Sequence, residues 1–269
     1  MGRGKSAKSL GLIEAAQMVL EEIQPASVRA VCYRLFTMGV IASMSKAETN
    51  KVSRQLTWAR EGGLIPWKWI VDETRAAELV NVFETVKRAY RRDRWQDQPE
   101  WVEVWSEKGT IRGTLAPVLH DYGVTFRVMH GYGSSTAVND VAGMTVDRRL
   151  TVLYLGDWDP SGLHMSVKDL PRRLLEYGGN VRILRLALTA MDVDMPELPS
   201  FEAASKRGDP RYRWYVDHYG SRCWELDALS PVLLRNRVSQ AIHDRLDLRA
   251  WAQAEARSEE RRVGKECRL

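Results

Sequence analysis

Leu150-Thr-Val-Leu-Tyr-Leu-Gly-Asp-Trp-Asp-Pro-Ser-Gly162 decides the fold. Its first six residues are apolar or β-branched, carry no charge and stop at Gly156, the pattern of a strand covered on both faces. Asp157 and Asp159 follow at once, and a helix is expected from about Ser161. Three other runs share the character of this strand: Trp101-Val-Glu-Val-Trp105, Phe126-Arg-Val-Met129 and Val181-Arg-Ile-Leu-Arg-Leu186. Helical stretches separate them, and strands alternating with helices predict an α/β fold built on a parallel sheet. Ligands of such sheets gather beyond the carboxyl ends of the strands.

Carboxylates stand at those ends. Glu107 follows the first strand, and Asp157 and Asp159 follow the third. If the backbone stays extended there, positions 157 and 159 point to one side, so three acids can converge. Oxygen donors without His or Cys select hard cations, Mg²⁺ first, and a bound cation is the natural neutraliser of three crowded carboxylates. The competing reading makes Asp157 and Asp159 helix caps. Glu225 and Asp227, in Trp224-Glu-Leu-Asp-Ala-Leu229, either supply a further carboxylate or cap a last helix beginning at Ser230.

The part of the chain before these strands differs in charge. Residues 1–95 hold 16 Lys or Arg against 10 Asp or Glu, while residues 96–256 hold 19 against 22. A basic N-terminal half suits a polyanion, and the boundary falls in the polar stretch Asp93-Arg-Trp-Gln-Asp-Gln-Pro99. Leu10, Ile13, Leu20 and Ile23 recur at helical spacing before Pro25, and Ser27 then suits the N-cap of a second helix. Its apolar face is Val28, Val31, Cys32 and Leu35, with Arg29 and Tyr33 neighbours on the flank. A third helix, from about Ser45 to Arg60, carries Lys46, Asn50, Lys51, Arg54, Gln55 and Arg60, donors suited to phosphates and base edges. Leu64–Val71 reads as a hairpin, with Trp67 and Trp69 in its core rather than stacked on bases. Helix, helix, hairpin is the winged-helix order. A fourth helix, about Thr74 to Arg94, ends in Lys87, Arg88, Arg91, Arg92 and Arg94, which suit phosphate or the helix dipole.

The remaining features exclude. No apolar run reaches the roughly 18–20 residues of a membrane span. The start offers no signal h-region, and a cytoplasmic, DNA-associated protein without membrane partners is expected. Cys32, Cys223 and Cys267 form no disulfide framework or CxxC pair. Gly131-Tyr-Gly133 lacks the third glycine of a dinucleotide fingerprint, and no phosphate-binding loop motif occurs. His120, His130, His164, His218 and His243 lack ligand spacing. Residues 257–268 read as the in-frame translation of a sequencing adapter, so residues 257–269 are set apart as an artefact tail. The expected organisation is a winged-helix domain over 1–95 and a metal-binding sheet domain over 96–256.

These residues together resemble the DNA-cleaving A subunit of topoisomerase VI and its relatives. The relatives include the meiotic double-strand-break protein and the short stand-alone mini-A forms of mobile elements. Ser27-Val-Arg-Ala-Val-Cys-Tyr33 is similar to that family's Thr-x-Arg-Glu-Ile-Tyr-Tyr, with Ala30 and Cys32 departing from it. The resemblance makes Tyr33 the nucleophile and Arg29 the motif arginine. Glu107 with Asp157 and Asp159 resembles the toprim metal site, which implies a toprim-type, Rossmann-like sheet domain binding Mg²⁺. It further implies attack on double-stranded DNA to leave a 5′ phosphotyrosine. The site would be shared between the two chains of a homodimer, and a separate ATPase subunit would power any strand passage. The DNA-binding set would be Lys46, Asn50, Lys51, Arg54, Arg88, Arg91 and Arg92. Two other readings compete with a tyrosine transesterase: a toprim nuclease using metal-activated water, and a non-catalytic winged-helix DNA-binding protein.

Overall fold

Residues 6–71, 94–129 and 135–266 are described by a computed structural model of the 269-residue chain. Strands β3 (Trp101–Ser106), β4 (Thr125–Val128), β5 (Leu150–Leu155) and β6 (Val181–Ala187) form one parallel sheet in the order β4-β3-β5-β6. All four stand where the apolar runs predicted them. β5 is central and every one of its residues is buried, which is why its sequence shows no polar alternation.

Successive side chains of the central strands feed two cores. Val104, Leu153 and Leu155 join α4 (Thr110–Tyr122), through Leu115 and Leu119, and α10 (Pro231–His243), through Leu234 and Val238. Trp105, Val152 and Tyr154 face the opposite way, onto α5 (Ser135–Met144) and α7 (Leu170–Glu176), through Val138, Val141, Leu170 and Leu174. The protein is therefore α/β, with helices on both faces of the sheet. α6 (Pro160–His164) runs into α7 through a π turn at Met165–Asp169. The chain continues with α8 (Ala190–Val193), α9 (Tyr212–Tyr219) and a final α11 (Leu248–Glu266). β7 (Ser200–Glu202) and β8 (Arg222–Trp224) pair antiparallel beside the sheet. No helix among the described residues is long and apolar enough to cross a membrane.

The N-terminal segment has its own core. Leu12, Ile13, Ala16, Val19, Leu20 and Ile23 of α1 (Ala7–Ile23) pack on Val31, Cys32 and Leu35 of α2 (Val28–Thr37) and on Val52, Leu56 and Ala59 of α3 (Lys46–Glu61). Ser27 caps α2 by accepting from the Ala30 amide, and Ser45 caps α3 through the Glu48 amide.

Two expectations are corrected here. Leu64–Val71 does not fold into a hairpin: it makes a turn, a 3₁₀ turn at Trp67–Trp69 and the short β2 (Ile70–Val71), which pairs in parallel with β1 (Ala26–Ser27). With the Pro66 ring fixing φ just ahead of Trp67, the chain turns instead of extending. Trp67 is not core, being 52% exposed, and the Arg60 guanidinium lies 4.8 Å from its ring centroid. Arg60 itself is buried, so it leaves the exposed donor set of α3. The expected fourth helix with Arg88, Arg91 and Arg92, and Gly131-Tyr-Gly133, lie outside the described residues.

Candidate active site at the sheet switch point

The order β4-β3-β5-β6 reverses chain direction between β3 and β5, since the connection from β3 goes one way to β4 and that from β4 returns past it to β5. This switch point opens a crevice beyond the carboxyl ends of β3 and β5. Glu107 leaves β3 there, and Gly156-Asp-Trp-Asp-Pro leaves β5.

Glu107 stands beside the turn that carries Asp157 and Asp159. A Cβ on Gly162 would stand 2.9 Å from Oε1 of Glu107 and 2.5 Å from the carbonyl oxygen of Asp157, so only glycine lets the first turn of α6 approach the Glu107 carboxylate this closely. Asp159 is the N-cap of α6, accepting from the Gly162 amide at 2.7 Å. The capping reading therefore holds for Asp159. It does not hold for Asp157, whose Oδ1 accepts from the Leu226 amide at 2.8 Å. Burial first, then the charges of Asp157 and Asp159, pushes the Glu107 carboxyl up to about 7.

Cations engage two of the acids directly. Lys108 Nζ lies 2.9 Å from Oδ1 of Asp157 and 2.7 Å from Oδ2 of Asp227, and Lys206 Nζ lies 3.3 Å from Oδ2 of Asp159. Burial opposes the charge on Lys108, but Asp227 and Asp157 outweigh it and hold the ammonium firmly protonated. Glu107 has no such salt-bridge partner among the described residues. With Asp157 and Asp159 drawn to lysines, no group of three acids, histidines or cysteines is disposed as a metal cage among the described residues.

Behind the acids, Arg185 of β6 supports the loop. Its guanidinium donates to the carbonyls of Gly156 (2.8 Å), Gly162 (3.2 Å), Leu188 (2.6 Å) and Asp157, and to the Ser166 hydroxyl (2.6 Å). The Tyr154 side chain is fully buried under the same loop, and its hydroxyl has no hydrogen-bond partner among the described residues. Burial and then Glu107 push this phenol up.

The N-terminal segment reaches the same crevice. α2 packs against the 3₁₀ turn Leu226–Ala228. The Ser27 hydroxyl donates to Oδ1 of Asp227 at 2.9 Å, while Arg29 grips both carboxylate oxygens of Glu225 through Nε and Nη2. Neither Glu225 nor Asp227 caps α10. The Arg29 guanidinium lies 5.7 Å from the ring centroid of Tyr33. Tyr33 is only 5% exposed. Burial, then the charge of Glu225, pushes its phenol up, against the pull of Arg29 and Lys108. Tyr33 thus stands beside acids and cations of its own chain, covered and protonated.

Of the expected DNA-facing residues, Lys46, Asn50 and Arg54 are exposed on α3 and Lys51 is half-buried, 3.9 Å from Glu48. Sequence reasoning missed Lys108, Arg185 and Tyr154. Arg185 is one of two arginines in β6, with Arg182, a charge that a sheet strand rarely carries, and Lys108 was signalled by its place directly after Glu107. No family model matches the chain, and neither a curated protein nor a solved structure matches it.

Proposed function

We propose that the protein cleaves double-stranded DNA by tyrosine transesterification, in the manner of the topoisomerase VI A subunit, with α1–α3 as part of a winged helix and the sheet domain as a toprim unit. One observation supports the reading: Glu107 stands beside the turn carrying Asp157 and Asp159 at the switch point of the sheet, and the Arg29–Tyr33 pair lies close to the same strand ends.

The donor set suits Mg²⁺. All its atoms are oxygens, Glu107 makes no salt bridge among the described residues, and the Tyr154 hydroxyl below, without a hydrogen-bond partner among them, would offer a hydrogen bond to a hydrated ion's water. Glu107, Asp157 and Asp159 would hold the ion, once Lys108 and Lys206 turn aside. A bound Mg²⁺ supplies positive charge that offsets the charge developing on phosphate oxygens. The residues of the chain do the rest. Arg29 grips a phosphate and lowers the cost of ionising the neighbouring phenol. Tyr33 gives up its proton to water and attacks phosphorus through its oxygen, the bond from phosphorus to the sugar oxygen breaks, that oxygen takes a proton from water to leave as a hydroxyl, and the phosphotyrosine is reversed by the same hydroxyl. Lys46, Asn50, Lys51 and Arg54 hold the duplex backbone. The working form is a homodimer on DNA, and any ATP-driven strand passage belongs to a separate subunit.

The covered state of Tyr33 favours a second reading: a nuclease in which the acids hydrolyse nucleic acid and α2 serves only for grip. Supercoiled DNA incubated with protein and Mg²⁺, then denatured with detergent, separates the two. Transesterification predicts protein-linked breaks from the native chain and none from Tyr33→Phe or Asp157→Asn. Undiminished cutting by Tyr33→Phe establishes the nuclease instead.

A further inference from the structure

We infer that Glu225 is a built-in mimic of a nucleic-acid phosphate, a plug that holds Arg29 and Tyr33 closed until a phosphodiester displaces it. The inference rests on the proposed DNA-cleaving function and concerns the regulation of the same site.

The two acids on this turn are placed differently. Asp227 is buried, its side chain 3% exposed, and joins Ser27 and Lys108 in an enclosed network. Glu225 sits at the rim, with its side chain 20% exposed, and its partner Arg29 is 43% exposed. Both oxygens of Glu225 are taken by the Arg29 fork, the same planar two-bond grip that an arginine makes on two oxygens of a phosphodiester. Lys108 Nζ lies 3.8 Å from the same carboxylate, so the pocket that receives this anion has a second cation on its floor. The guanidinium lies over the Tyr33 ring, and Glu225 is the charge that acts most against ionising its phenol.

A solvent-facing ion pair of this kind is worth little, on the order of 0–1 kcal/mol, because water screens it. A polyanion that brings many phosphates at once therefore competes with a single tethered carboxylate on favourable terms. Exchange of Glu225 for phosphate leaves the Asp227 network untouched, so the two halves stay joined while the mouth opens. The substrate itself thus unmasks the nucleophile.

The test uses the full chain without Mg²⁺, so that cutting plays no part. A fluorescent 30-base-pair duplex reports binding by anisotropy, and nitration by tetranitromethane, mapped by mass, reports access to Tyr33. Glu225→Gln keeps the shape and removes the charge; Glu225→Ala, checked by thermal melt, serves if the glutamine form does not fold. Glu14→Gln, on the exposed face of α1, controls for loss of one negative charge. Glu225→Gln is expected to bind DNA up to about fivefold tighter and to nitrate faster at Tyr33, while Glu14→Gln matches the native chain in both. Unchanged affinity and unchanged nitration in a chain that does bind DNA overturn the plug and leave the proposed function standing. If neither native nor variant protein binds the duplex, the DNA reading falls and takes the phosphate assignment with it.

Discussion

Replacing Glu107 by glutamine is predicted to stabilise the protein at alkaline pH while removing one carboxylate of the proposed metal site. The carboxyl is forced by burial and by Asp157 and Asp159 from an ordinary 4.5 to about 7. A raised acid binds its proton more tightly when folded than when unfolded. Its cost to stability is complete above pH 7, where both states are ionised, and fades as pH falls toward 4.5. At about 1.4 kcal/mol per pH unit the ceiling is roughly 3 kcal/mol at pH 8. Glu107 is partly exposed, so about half of this is expected after screening. Urea denaturation in the presence of EDTA measures it: Glu107→Gln should exceed the native chain by about 1.5 kcal/mol at pH 8, and by a few tenths at pH 5. Added Mg²⁺ should close the gap at pH 8 by stabilising the native chain alone. A glutamine variant less stable than native at pH 8, or a difference independent of pH, refutes the reasoning.

Two further outcomes follow from the geometry. Gly162→Ala should cost roughly 1–3 kcal/mol, because its methyl group would press on the Asp157 carbonyl and on Glu107 together, and thermal melts of the metal-free protein would show it. Replacing Lys46, Lys51 and Arg54 jointly by alanine should flatten the plot of log affinity against log salt by about 2–3 in slope, with little change in melting temperature. An unaltered slope would remove α3 from the DNA surface.

The sheet was legible because a strand buried on both faces must be apolar throughout, as Leu150–Leu155 is, and because the three partly exposed strands beside it are still short, mostly apolar runs with bounds within a residue or two of those expected. That Glu107 would stand near the turn carrying Asp157 and Asp159 was legible too, since both follow strands that end at the switch point; that Asp157 and Asp159 are drawn to Lys108 and Lys206 was not. What the sequence did not disclose was long-range pairing. Nothing in Trp224-Glu-Leu-Asp-Ala-Leu229 announces that Glu225 answers Arg29, or that Asp227 answers Ser27 and Lys108, residues more than a hundred positions away. The reading of Leu64–Val71 as a hairpin failed for a local reason. Alternating apolar and aromatic residues suit a strand, but Pro66 starts a turn, and the nearest free edge belonged to Ala26–Ser27. The burial of Tyr33 was likewise invisible, because helix periodicity placed it on a flank and α2 packs against the distant turn Leu226–Ala228.

The central claim is that the Tyr33 oxygen becomes bonded to DNA. The most direct measurement digests the detergent-denatured reaction with nuclease and protease and weighs the peptide that contains Tyr33. The account predicts a metal-dependent mass increase of a nucleotide on Tyr33 in the native chain, lost in Asp157→Asn. Broken DNA bearing free phosphate ends, with the Tyr33 peptide unmodified, would contradict it.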